Sequence, residues 1–341
     1  MNKRITAAIL SVLLTASALF SCEGQTEEIK TKHHTFFEPY FDTFSTVYDY
    51  TGSSDADFDA LCEEIEGELS RYHRLFDIYN EYEGIINLAT LNKTAGEGAR
   101  RVDPAICELL SFAKEMYSLT GGAVNIAFGS VLSLWHDARA AAGDKKNPVY
   151  YIPSMDELLS ADEHTSIENI VIDTAASTVE ILDSETRIDV GAVAKGYVAE
   201  KISDFIKSKG LSGYAVDFGG NLRVIGTKPG GVGVVSGIFY MDGYTVNPVE
   251  LKDSALVTSG TYERRYTVDG VDYHHIINPD TLMPENNYWS VSVKTESSAV
   301  ADALSTAFFN MSEEKIEATL KQIPNTEVTV IYPSGEVKVI K

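Results

Sequence analysis

Cysteine is scarce in this chain of 341 residues: there are three, at positions 22, 62 and 107, with none of the close spacings that zinc or redox sites use. That excludes a disulfide-built scaffold. Cys62 and Cys107 each sit in an apolar helical pattern, Ala-Leu-Cys-Glu and Ala-Ile-Cys-Glu. They are expected as small buried hydrophobes, with a bond between them as the alternative. Basic residues are short as well: 28 Lys and Arg against 50 Asp and Glu leave a net charge of −22, and no stretch gathers the basic ones into a stripe. A surface this acidic repels polyanions, so nucleic acid is excluded as a partner. Internal repeats and low-complexity tracts are also absent.

The N-terminus is a different case. Lys3 and Arg4 precede a charge-free apolar stretch from Ile5 to Phe20, followed by Ser21-Cys22 and a polar run from Glu23 to Thr35. The stretch is shorter than the roughly 20 residues that cross a bilayer, and its basic start suits a secretion signal that is cut off. A small residue directly before Cys resembles the bacterial lipoprotein processing site. The expectation is a signal peptide over 1–21, then acylation of Cys22 as an anchor to a membrane in the cell envelope, facing the periplasm or exterior. Ordinary cleavage to a soluble exported protein is the alternative. Residues 22–35 then form the lipidated N-terminus and a flexible spacer, and 36–341 the folded part.

With 44% hydrophobic residues the rest of the chain can bury a large interior, as one large domain or two fused lobes. Phe36 to Tyr50 is aromatic and β-branched and reads as strand. Phe58, Leu61, Ile65, Leu69, Tyr72 and Phe76 recur at helical spacing, predicting a helix that opens near Asp55. Asp103-Pro104 opens another and Gly121-Gly122 ends it. Further helices are predicted at 153–161, 193–209, 298–310 and 312–322. Strands are predicted near 168–173, 178–182, 213–218, 221–226, 255–259, 262–268, 271–277, 288–295 and 326–332, with Asp269-Gly270 as a hairpin turn. The alternation is too irregular for a doubly wound sheet, so the fold class is α+β, mixed sheets with flanking helices.

Four segments carry glycine, hydroxyl and acidic residues where a plain core would not want them. Arg187-Ile-Asp189-Val-Gly191-Ala192-Val-Ala-Lys195-Gly196 runs from a strand end into a helix. Such a turn offers backbone N–H groups to phosphate, and Lys195 can add positive charge. The bland reading is a helix start capped by Asp189, with Lys195 in solvent. Asp217-Phe-Gly219-Gly220-Asn221 places paired glycines between two strands, for close approach to a ligand or for an ordinary turn. Thr258-Ser259-Gly260-Thr261-Tyr262 is followed by Tyr273-His274-His275-Ile276-Ile277-Asn278-Pro279, in which a histidine is either a structural donor or a proton-transfer group. Lastly, Ala301-Asp302-Ala303-Leu304-Ser305-Thr306-Ala307 sets a carboxylate and two hydroxyls on one helical face. Oxygen donors of that kind suit a hard cation that also binds phosphates, Mg²⁺ before zinc; back-bonded hydroxyls near a helix start are the alternative.

In their order these segments resemble the ApbE family, the FAD:protein FMN transferases, from about Phe41 to about Asn310. Asp-Val-Gly-Ala-Val-Ala-Lys-Gly is similar to the family's Asp-x-Gly-Ala-x-Ala-Lys-Gly, Asp-Phe-Gly-Gly-Asn to its Asp-x-Gly-Gly-Asn, Thr-Ser-Gly and His-Ile-Ile-Asn-Pro to its Thr-Ser-Gly and His-Ile-Ile-Asp-Pro, and Ala-Asp-Ala-Leu-Ser-Thr-Ala to its metal-binding helix. Phe76-Asp-Ile-Tyr79, Thr120-Gly121-Gly122-Ala123, Phe128-Gly129 and Leu134-Trp135 match as well. The resemblance implies an enzyme that binds FAD with Mg²⁺, splits the diphosphate and joins FMN through a phosphoester to a Ser or Thr of an exported redox protein, releasing AMP. It further implies Mg²⁺ on the backbone oxygen of Ala192 and on Asp302 and Thr306, with Ser305 as a further hydroxyl. Contacts to flavin and adenylate are implied at Phe41, Tyr79, Ala123, Val124, Asn125, Asp189, Lys195 and Ile276. His275 and Asp302 are the two candidates for the base.

The chain departs from the family pattern at Phe41-Asp42-Thr43, where Met-Gly-Thr or Met-Asp-Thr is common, at Ala123-Val124-Asn125 in place of Ala-Phe-Asp, and at Asn278 in place of Asp. Ser305 stands where another small or acidic residue is frequent. Two other readings use the same residues: an FAD pyrophosphatase in which water replaces the protein hydroxyl, and a non-catalytic FAD-binding lipoprotein.

Overall fold

The computed structural model describes residues 31–36, 40–241, 243 and 245–341; the expected signal peptide and Cys22 lie outside the described residues. Eight strands cross one sheet in chain order, and every neighbouring pair is antiparallel: β1 Lys32–Phe36, β2 Ser45–Asp49, β3 Tyr214–Phe218, β4 Asn221–Ile225, β5 Ala255–Gly260, β6 Ser290–Thr295, β7 Glu327–Ile331 and β8 Val337–Ile340. Side chains alternate across a strand, and here the alternation divides two cores. Val47, Val216, Phe218, Val257, Val291 and Val328 face a helical layer. Ala215, Val224, Leu256 and Ile331 face the other way. That second face is covered by an antiparallel ribbon, Val234–Phe239 with Thr245–Leu251, through Val234, Ile238, Val249 and Leu251.

The helical layer comes mostly from the long connection between β2 and β3. It holds α1 Asp55–Phe76, α2 Pro104–Leu119, α3 Gly129–Ala142 and α4 Ala194–Ser208; α5, Ser298–Phe309, follows β6. Local chemistry sets the helix starts. Ser54 Oγ accepts the Asp57 N–H, Asp103 accepts the Ala105 N–H one residue ahead of Pro104, and Ser297 accepts the Val300 N–H. Ile65, Leu69, Ile106, Leu110, Val198, Ile202, Leu304 and Phe308 close the core beneath the sheet. A small cluster joins α3 to the hairpin Tyr266–Val268/Val271–Tyr273, with Trp135 Nε1 donating to the Leu282 carbonyl at 3.0 Å.

The α+β reading holds, and the hairpin turns at Asp269-Gly270 with φ of 50° and 81°. Cys62 and Cys107 are buried and unbonded. Four expectations change. The single strand over Phe36–Tyr50 is two strands, separated by a turn in which Phe41 and Asp42 both take positive φ, 56° and 55°. The spacer expected to reach Thr35 stops earlier, because Lys32–Phe36 pairs with β2. The predicted strands 262–268 and 271–277 shrink to Tyr266–Val268 and Val271–Tyr273, since their outer residues line a cavity. And α3, the ribbon and β8 form without having been predicted.

Candidate active site

At one end of the sheet the helical layer and the loops enclose a cavity of about 690 Å³. Its walls carry all the residues that the resemblance assigned to a site except Ser305: Phe41, Tyr79, Ala123, Val124, Asn125 and Asp189; then Ala192, Lys195, His275, Ile276, Asp302 and Thr306. These positions are scattered over the sequence, and only the fold brings them together.

The residues expected at a cation come from α5, which carries Asp302 and Thr306, and from the turn just ahead of α4, which carries Ala192; the two helices cross closely. Gly196, in the first turn of α4, donates its N–H to Asp302 Oδ2 on α5 at 2.8 Å. In a helix extended one turn backwards that N–H would bond the carbonyl of Ala192. Its diversion to Asp302 leaves the Ala192 carbonyl without that partner on the cavity wall. Asp302 is buried, and Lys195 Nζ stands 3.7 Å from its Oδ1. Burial pushes the Asp302 carboxyl up, against the pull of Lys195 and the Gly196 N–H. Among the described residues no three His, Cys, Asp or Glu side chains gather as a metal cluster, so the site is not a zinc-type cage. One carboxylate, one hydroxyl and one carbonyl instead match a hard cation that completes its shell with phosphate oxygens and water. Ser305 is not on the cavity wall: its side chain is buried and back-bonds the Asp302 carbonyl at 3.0 Å.

The segment ahead of α4, expected to leave a strand end, holds only an isolated bridge from Arg187 to Phe128, and it is not a simple helix cap. Asp189 Oδ1 accepts the Gly191 N–H at 2.7 Å, whereas α4 begins at Ala194 with no side-chain cap. Asn92 grips the preceding residue from both sides, its Oδ1 accepting the Ile188 N–H at 2.6 Å and its Nδ2 donating to the Ile188 carbonyl at 2.9 Å. Burial pushes the Asp189 carboxyl up, opposed by the Gly191 N–H and by His136, Arg264 and Arg139. The paired glycines are required here. Gly219 has φ of 61°, and a Cβ on it would stand 2.3 Å from Thr43 Oγ1, so the Asp42-Thr43 turn can close on it only if no side chain is present.

The two adjacent histidines separate into two roles. His274 accepts the Ile276 N–H on Nδ1 at 3.2 Å, so its Nε2 donates to the Glu285 carbonyl at 2.9 Å. His275 lines the cavity with no partner on Nδ1. Burial, with Arg264, Lys195 and Arg139 nearby, pushes its pKa down to about 3, so the ring is neutral near pH 7. Asn125, placed among the ligand contacts, has both polar ends engaged, Nδ2 on the Thr165 carbonyl at 2.8 Å and Oδ1 on the Ala127 N–H at 2.9 Å. It shapes the loop beside the cavity.

Arg139, Arg264 and His136 line the cavity too and were not found from sequence. Arg139 and His136 lie on α3, three residues apart, and recognising that helix would have put the two on one face. His136 stacks on Tyr79 with centroids 5.0 Å apart at 29°. Tyr79 is in turn held by Asp77, which accepts the Tyr79 and Asn80 N–H groups at 2.7 and 3.0 Å on Oδ1. A chain of net charge −22 thus sets Lys195, Arg139 and Arg264 around one cavity. Asp42, Asp77, Asp189, Glu263 and Asp302 line the cavity as well, so these cations offer an anion close local partners rather than a cavity of one sign.

A sequence profile described as the ApbE family matches residues 42–330. The chain is 30% identical over 335 residues to an FAD:protein FMN transferase of Treponema pallidum, covering 93% of this chain and 89% of that one. With the enzyme of the same description from Vibrio cholerae it is 29% identical over 274 residues, covering 79% and 77%. Among solved structures, the ApbE protein of Thermotoga maritima superposes with a TM-score of 0.78 at 27% identity, covering 91% of this chain and 96% of that one. The flavin transferase ApbE of Vibrio cholerae gives 0.75 at 25% identity, covering 91% and 97%.

Proposed function

Because the chain belongs to the ApbE family, we propose that it is an FAD:protein FMN transferase that works with Mg²⁺ and attaches FMN through a phosphoester to a Ser or Thr of an exported acceptor. The observation that carries this reading is the meeting, in one cavity, of the oxygen donors Ala192, Asp302 and Thr306 with the cations Lys195, Arg139 and Arg264 and the rings of Phe41 and Tyr79. A flavin dinucleotide has the matching parts: a flat ring system, a diphosphate and a nucleoside.

When bound, the divalent cation would neutralise the diphosphate and polarise the phosphorus under attack. Lys195, Arg139 and Arg264 hold the anion and offset the charge that builds on the phosphoryl oxygens. Phe41 and Tyr79 give the flavin ring apolar and aromatic surface. The acceptor hydroxyl oxygen bonds to the FMN-side phosphorus as the bond from that phosphorus to the bridging oxygen breaks. AMP leaves with the bridging oxygen, and the hydroxyl proton passes to a base. His275 takes that role: its ring is neutral and its Nδ1 has no partner, while Asp302 Oδ2 is occupied by the Gly196 N–H.

Cys22 and the apolar stretch before it support lipid anchoring in the cell envelope, where an exported acceptor would be met. Among the described residues no helix is long and apolar enough to cross a membrane. Mass spectrometry of the membrane fraction tests the acyl group on Cys22.

The activity is tested by incubating the purified protein with FAD, Mg²⁺ and an exported flavoprotein acceptor. Covalent flavin on the acceptor, with AMP released in equal amount, is expected. AMP and FMN formed regardless of acceptor would make the protein a pyrophosphatase. FAD bound without turnover would make it a carrier.

A further inference from the structure

Ser259, one residue before the end of β5, is on the cavity wall and belongs to no role described above. Its Oγ lies 2.9 Å from Ser305 Oγ and 3.4 Å from Thr306 Oγ1. Taken singly, either hydroxyl pair can share its proton in either direction. The backbone of α5 removes that freedom. Ser305 Oγ donates to the Asp302 carbonyl at 3.0 Å, a carbonyl can only accept, and a hydroxyl has one proton to give. The Ser259–Ser305 bond is therefore donated by Ser259. With its own proton spent, Ser259 can only accept from Thr306. The protons run one way, from Thr306 to Ser259 to Ser305 to the Asp302 carbonyl.

We propose that Ser259 is a positioning residue for the cation site, holding the Thr306 hydroxyl with its proton turned away from the cavity and its lone pairs turned into it. The inference rests on the transferase reading, which makes Thr306 a cation ligand. A hard cation binds lone pairs and is repelled by a hydroxyl proton, so the orientation matters to affinity. The 3.4 Å separation is longer than a strong hydroxyl–hydroxyl bond. A cation on Thr306 Oγ1 withdraws electron density, makes that hydroxyl a better donor and shortens the contact, so ligand and support strengthen together. Ser305, the neighbouring hydroxyl on α5 itself, does not supply this support, because it is turned to the helix backbone.

The test is Mn²⁺ titrated into the FAD-loaded protein and followed by the loss of the free-ion paramagnetic resonance signal, beside FAD affinity measured without metal by flavin fluorescence. Ser259→Ala is expected to weaken Mn²⁺ binding about tenfold or more, the usual scale for a lost support behind a ligand, with metal-free FAD affinity unchanged. Ser259→Thr, which keeps the hydroxyl, is expected to restore it. Ser305→Ala reads the same chain from its other end: it frees the Ser259 proton to point at Thr306, and Mn²⁺ affinity falls although Ser259 is intact. Thr306→Val removes the ligand and gives the reference loss. Wild-type Mn²⁺ affinity in Ser259→Ala and Ser305→Ala, with the loss retained in Thr306→Val, overturns the role of Ser259 and leaves the cation site standing. Wild-type affinity in Thr306→Val overturns the site itself.

Discussion

Gly196 and Asp302 bring α4 and α5 into contact at a point where no side chain fits: the Gly196 N–H reaches Asp302 Oδ2 at 2.8 Å, and a Cβ on Gly196 would stand 2.4 Å from both Asp302 Cβ and the Ser298 carbonyl oxygen. The same approach that aims the carboxylate also diverts the N–H from Ala192. Fold and site therefore share this contact.

Gly196→Ala sets two effects against each other. Alanine gains about 1 kcal/mol in helix propensity, while forcing a methyl into a packed crossing costs about 1–3 kcal/mol. Since the obstructing atoms are backbone and a Cβ, the second effect wins. A lower denaturation midpoint is expected, along with a loss of turnover larger than the loss of stability explains, because Asp302 is displaced. Denaturant melts and AMP release measure the two. Unchanged values in both would show that the crossing opens without consequence.

Asp302→Asn keeps an oxygen for the Gly196 N–H and removes the charge. The fold should persist. Turnover should fall at least about a hundredfold, the scale for losing one fixed electrostatic partner, and added Mg²⁺ should not restore it. Flavin fluorescence on the acceptor band is the readout, and retained turnover would mean that the carboxylate is not needed.

The pKa of His275 should rise when an anion binds. Burial is the first cause of its depression, and the cations Arg264, Lys195 and Arg139 add to it. A diphosphate among those cations cancels their repulsion of an imidazolium, favouring the protonated form. Histidine NMR with and without FAD measures the shift. A fall, or no movement, would put the diphosphate elsewhere and overturn the role proposed for His275.

Asp77 ties stability to the Tyr79 side of the cavity. Its burial raises the carboxyl pKa, but hydrogen bonds from Asn80, Tyr79 and Tyr82 outweigh that and hold the group below the usual carboxylate range. A depressed folded pKa means that the contribution is complete above about pH 4, the unfolded carboxylate value, and is lost as pH falls through the folded value. Asp77→Ala should cost about 1–3 kcal/mol by leaving buried donors unpaired, flatten the acid side of the stability curve and weaken FAD binding through a loosened Tyr79. Urea melts at several pH values, with flavin fluorescence, would reveal any of these effects missing.

Much of the site was legible because its chemistry is local. Asp189-Val-Gly191, Asp217-Phe-Gly219-Gly220 and Asp302 with Thr306 combine residues whose backbone freedom or oxygen chemistry shows at short spacing, and Asp189, Gly191, Gly219, Asp302 and Thr306 line the cavity. Arg139 and His136 were not legible, because α3 starts at Gly129 behind Phe128, which has no capping side chain, so the helix that presents them left no start signal. The ribbon Val234–Phe239 with Thr245–Leu251 was hidden for a related reason: its strands are interrupted by Gly and Pro, and their inward residues acquire a core only when the main sheet lies beneath them.

By itself the amino-acid order decided which segments become helix or strand over most of the chain, since capping residues, turn glycines and apolar periodicity act within a few residues of where they stand. Only the tertiary structure decided which histidine faces the cavity, that an acidic chain gathers three cations at one point, and which way the hydroxyl protons run from Thr306 through Ser259. Those outcomes depend on contacts between residues far apart in the chain, where burial and the direction of a single hydrogen bond set the charge and orientation of each group.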